Sequence, residues 1–87
     1  MTIKIMNSCV QYILSENKFP NSFRERLSRS FFARKGGFAT ISLSKSEMDE
    51  LREIAMDLFM EKGVDENQEP TSIGMILEDL IDLFYVK

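Results

Sequence analysis

The chain has 87 residues, is 44% hydrophobic and 29% charged, and carries a net charge of −3. That composition suits one small globular domain; it excludes a disordered chain, and no apolar run approaches the roughly 20 residues of a membrane span. The single cysteine, Cys9, and the lack of any histidine exclude an internal disulfide and the usual zinc ligand sets.

Residues 3–16 place Met6, Cys9, Val10, Ile13 and Leu14 at helical spacing. The alternation in TIKIM also allows a strand over the first residues, but the reading adopted is a short amphipathic helix over 4–16. Asn7, Ser8, Gln11 and Ser15 interrupt this stretch, so it lacks the continuous apolar core of a signal peptide. The expected compartment is therefore the cytoplasm, which also suits a free thiol. Cys9 sits on the apolar stripe and reads as a small buried hydrophobe.

Asn17 to Asn21 encloses Phe19-Pro20 and reads as a turn. Ser22 is the expected cap of a second helix, whose apolar face holds Phe23, Leu27 and Phe31. Gly36-Gly37 should end it. The period then changes to two. Phe38 to Leu43 alternates strictly, with Ala39, Ile41 and Leu43 on one face and Phe38, Thr40 and Ser42 on the other. Ser44 and Glu47 stand at capping-box spacing before a helix with Met48, Leu51, Ile54, Ala55, Leu58 and Phe59 on its buried side. Gly63 can end that helix, and Asp65 to Pro70 is a polar loop. Thr71 or Ser72 opens the last helix, with the stripe Ile73, Ile76, Leu77, Leu80, Ile81 and Phe84.

The fold class expected is mostly α with one short strand. One strand cannot satisfy its own backbone groups, and a chain this short buries only about 60% of its unfolded surface. A second copy of the chain is the simpler source of a ladder partner, so an obligate homodimer is expected.

Charge divides the chain. Residues 1–35 hold seven Lys/Arg against two Glu, a net +5; residues 36–87 hold four Lys/Arg against twelve carboxylates, a net −8. A basic segment can meet a phosphate backbone despite the acidic total. The acidic residues Glu47, Asp49, Glu50, Glu53 and Asp57 spread around their helix, which suits solvent-facing charge and not a metal site. Nothing supports catalysis: there is no histidine, no nucleophile–base set and no glycine-rich phosphate loop, since Gly36-Gly37 precedes a strand. No enzyme activity and no cofactor are expected.

FATISLSKSEMDELREIAMDL, a loop, and then TSIGMILEDLIDLFY resemble the ribbon-helix-helix family, which includes the methionine repressor, the Arc repressor and plasmid copy-number repressors. The resemblance covers about residues 37–86. It implies a ribbon-helix-helix homodimer, with an intermolecular antiparallel two-stranded ribbon entering the major groove of double-stranded DNA. On that pattern residues 36–87 form the domain and residues 1–35 a basic helical extension. Phe38, Thr40 and Ser42 would face DNA and read bases, although for Phe38 packing over the dimer core is the favoured reading. Thr71, Ser72 and Ile73 would anchor a phosphate at the last helix's N-terminus. Arg29, Arg34 and Lys35 would reach flanking phosphates.

The resemblance thus implies a small repressor of bacterial, plasmid or phage type, or a relaxosome accessory protein on the same fold. A rival comes from the uncharged ribbon triplet and the acidic domain. It is an antitoxin-like or inhibitory protein-interaction module, gripping a second protein through residues 1–35 and not reading DNA.

Overall fold

The computed structural model describes residues 1–33 and 37–85. Its elements, in chain order, are strand β1 (Thr2–Met6), helices α1 (Asn7–Ser15) and α2 (Asn21–Ala33), strand β2 (Phe38–Ser42), and helices α3 (Lys45–Lys62) and α4 (Ser72–Leu83). The molecule is mostly helical, with a two-stranded antiparallel sheet. The chain forms two compact units, Met1–Ser44 and Lys45–Lys87. β2 therefore belongs with the basic N-terminal residues, whereas the sequence pattern grouped it with the helices that follow.

The first unit corrects the expectation of a single strand. Residues 2–6 are extended, and α1 begins only at Asn7. β1 pairs with β2 in the register Thr2–Ser42, Ile3–Ile41, Lys4–Thr40, Ile5–Ala39 and Met6–Phe38. β2 thus has a ladder partner within its own chain. The physical reason is matched alternation. Ile5, Ala39 and Ile41 fall on one face and are buried, while Thr2, Lys4, Met6 and Ser42 fall on the other and are exposed. Beyond the strands, Met1 and Leu43 exchange backbone bonds of 2.7 and 2.8 Å.

α1 touches both strands, and α2 touches α1 and β2. The buried residues here are Ile5, Cys9, Val10, Ile13, Phe19, Phe23, Leu27, Ala39, Ile41 and Leu43. Phe19 anchors the turn between the helices, its ring 6.3 Å from that of Phe23. α2 starts one residue before the expected Ser22 cap. Pro20 precedes it and accepts from the Arg24 N–H at 3.0 Å. Proline supplies a preset φ where the helix needs no donor.

The second unit is a pair of packed helices, α3 and α4. Met48, Leu51, Ala55 and Leu58 on α3, and Leu77 and Leu80 on α4 with Phe84 after it, are buried. Their join is built from small residues. A Cβ on Gly74 would lie 2.0 Å from the Gly63 carbonyl oxygen, and one on Gly63 would lie 2.5 Å from that of Phe59. Only glycines allow this approach. Thr71 completes the join: its Oγ1 donates to the Lys62 carbonyl at 3.0 Å and accepts from the Gly74 N–H at 2.9 Å. The intervening loop is folded on Asp65, whose Oδ1 accepts from the N–H groups of Asn67 and Glu69. Among the described residues, no helix is long and apolar enough to cross a membrane.

Candidate nucleic-acid interface

The outer face of the sheet is a six-residue platform, Thr2, Lys4 and Met6 beside Phe38, Thr40 and Ser42. The three residues expected to read bases do share this face, with Ser42 exposed and Phe38 and Thr40 half-buried. Thr2 Oγ1 and Ser42 Oγ lie 3.1 Å apart, so the hydroxyls at one end form a hydrogen-bonded pair. The Lys4 ammonium sits 4.3 Å from the centroid of the Phe38 ring, a cation–π contact. Phe38 is thereby both a wall of the platform and a rest for the lysine.

Lys4 and Thr2 are the residues that the sequence reading missed. Reading residues 4–16 as helix removed them from the ribbon. The available signal was the alternation of Thr2, Lys4 and Met6 with Ile3 and Ile5, which matches β2. Lys4 alters the chemistry, since Phe38, Thr40 and Ser42 offer no cation. A lysine on a ribbon can donate to the O6 and N7 acceptors of guanine.

α2 flanks the platform on the β2 side. The hydrogen-bonded Met1–Leu43 pair sets the ladder's alternation, so the N–H and C=O of Thr40 point away from β1. Ser30 takes both. Its hydroxyl donates to the Thr40 carbonyl at 2.6 Å and lies 3.1 Å from the Thr40 nitrogen, accepting its N–H. The Arg26 guanidinium donates to the Ser42 carbonyl. This edge of the sheet is therefore closed, and it places a cation beside the platform. Arg29 is exposed on α2. Arg34 and Lys35 lie outside the described residues.

Thr71 and Ser72 belong to the other unit. The Thr71 hydroxyl is occupied on both sides by the α3–α4 join, so its side chain serves the fold. That unit holds four Lys/Arg against twelve carboxylates, a net −8, while residues 1–44 hold seven against two, a net +5. A shallow depression on α3 with Glu53, Met56 and Asp57 in its lining is acidic and does not suit phosphate. Comparisons of the chain with family models, with curated proteins and with solved structures returned no match.

Proposed function

We propose that this protein is a small sequence-specific DNA-binding regulator acting in the cytoplasm, and that the β1–β2 ribbon is its reading element. The observation that carries this reading is the platform: a two-stranded ribbon bearing Lys4 and three hydroxyls, flanked by Arg26, on the basic unit. A two-stranded ribbon fits the major groove, and Lys, Ser and Thr are groups that bond base edges there. Arg29, Arg34 and Lys35 would add contacts to flanking phosphates.

The ribbon-helix-helix resemblance is supported by the order β2–α3–α4 and by the Thr71 cap on α4. The family's homodimer pairs β2 with its twin. Here β2 has β1 on one edge, with Ser30 and Arg26 on the other. The reading therefore places a complete ribbon in each protomer and assigns dimerisation to another surface.

The test is a selection of bound sequences from random duplex DNA at low and moderate salt. An enriched motif, lost when Lys4→Gln is combined with Thr40→Ala and Ser42→Ala, is the expected outcome. A folded protein that enriches nothing would overturn it. The second reading, a protein-interaction module, would then lead. It is favoured by the exposed apolar side chains of the acidic unit, Met56, Met60, Val64, Met75 and Tyr85, since methionine adapts readily to a partner's surface.

A further inference from the structure

The two edges of the sheet are treated differently. The β2 edge is closed by side chains of α2, which occupy the outward backbone groups of Thr40 and the carbonyl of Ser42. The β1 edge has no such cover. By the alternation set at Met1–Leu43, the N–H and C=O of Thr2 and Lys4, and the N–H of Met6, point away from β2. Among the described residues none bonds to those groups. The strand holds no proline, and its one charge, Lys4, lies on the platform face. An uncovered edge is a template for another strand.

We infer that the β1 edge is a self-association surface, and that its partner is β1 of a second copy, paired antiparallel about a two-fold axis at Lys4. Three features suit a second copy as the partner. First, the outward groups are self-complementary: Lys4 faces its twin and Thr2 faces Met6 of the other protomer, so one pattern supplies donors and acceptors to both sides. Second, the strand ends on an exposed methionine, Met6 at 53% exposure, which in this register stands beside Thr2 of the other copy. Third, each copy has one open edge and one closed edge. Pairing therefore stops at two copies, as isologous contacts do, and builds no fibre. The like charges of the paired Lys4 residues oppose association. Their cost is reduced because each ammonium is drawn onto its own Phe38 ring.

This dimer does not rest on the DNA reading, but together they have a consequence. Joining two ribbons gives four strands, with roughly 14 Å between the outer backbones at about 4.8 Å per spacing. The major groove is about 12 Å wide, so the doubled sheet does not enter it. Self-association and groove insertion then compete for the ribbon.

The test uses the full chain without DNA, which separates it from any failure of the DNA reading. Lys4→Pro removes an outward N–H and leaves the β1–β2 ladder bonds in place, since proline is tolerated where the N–H faces solvent. The expected result is twice the monomer mass for the parent by sedimentation, and monomer mass with unchanged helical circular dichroism for Lys4→Pro. Lys4→Gln keeps the N–H, removes the charge repulsion and should dimerise more tightly. A parent that stays monomeric at the highest concentration reached, or a folded Lys4→Pro that stays dimeric, overturns the inference. If Lys4→Pro does not fold, Lys4→Cys in a Cys9→Ala background decides. Hydrogen-bonded antiparallel pairs hold Cα atoms about 5.5 Å apart, within disulfide reach. Oxidation should link two chains through Cys at position 4, while Gln11→Cys on exposed α1 should not link. No linkage at position 4 overturns the inference.

Discussion

The two units of this chain are built by different means. In the unit of residues 1–44, the strands that pair lie far apart in sequence: Thr2 meets Ser42 across 40 positions. In the unit of residues 45–87, consecutive helices pack through a short loop and a contact between Gly63 and Gly74. Polar side chains also serve different ends. Ser30 and Arg26 close a sheet edge and leave the platform hydroxyls of Thr2, Thr40 and Ser42 outward, whereas the Thr71 hydroxyl is used up joining α3 to α4. Charge follows the same division, +5 against −8. The difference teaches how each unit uses its hydroxyls: those of Thr2, Thr40 and Ser42 lie on the outer face of the sheet paired at long range, and that of Thr71 closes the locally folded unit.

Substitutions that act on one unit and spare the other sharpen this comparison. Ile5→Ala should act most strongly. The side chain is fully buried, and its loss should cost about 2–5 kcal/mol, read as lost hydrogen-exchange protection in residues 1–44 first. Equal loss of protection in both units would break the comparison, because the chain would then unfold as one body. Gly74→Ala is the counterpart in the other unit. Its Cβ would meet a backbone oxygen, which cannot rotate away, so the cost should reach or exceed the upper end of about 1–3 kcal/mol, measured from the urea midpoint.

Ser30→Ala should cost about 1–3 kcal/mol, since it leaves the Thr40 backbone groups without their partner. It also opens the second sheet edge. Species larger than a dimer should then appear by light scattering; their absence would show that Ser30 is not the barrier to further pairing. Thr71→Ala should cost about 0.5–2 kcal/mol by removing the α4 cap, with α4 amides showing the loss. The smallest effect on folding belongs to Thr40→Ala with Ser42→Ala. Stability should change by about 1 kcal/mol or less, since Ser42 is exposed and Thr40 half-buried. DNA affinity should fall by about 1–3 kcal/mol for each base contact removed. A stability loss as large as that of Ser30→Ala would mean that the platform is part of the fold and not a free face.

The amino-acid sequence by itself determined every element whose period is local. β2 is legible in the alternation of Phe38 to Leu43, α3 in the spacing of Met48, Leu51, Ala55 and Leu58, and α4 in Thr71 followed by Leu77, Leu80 and Phe84. Each pattern is long enough to separate period 2 from period 3.6, and the outward placement of Phe38, Thr40 and Ser42 follows from it. β1 was not legible in the same way. Its five residues run directly into the helical stripe of Cys9, Val10 and Ile13, and both periods fit such a short stretch. Only pairing with β2, some 36 residues on, decided that residues 2–6 are a strand, and with it that Lys4 joins the platform. The closed edge was likewise beyond any local pattern. Ser30 reads as one more polar residue of a helix until α2 is placed beside β2, and only then does its hydroxyl meet the backbone of Thr40. The glycines at 63 and 74 read as a helix stop and a weak helix residue until the two backbones are brought together. In each case the deciding interaction joins atoms that are distant along the chain, and its free energy exists only after the chain has closed on itself.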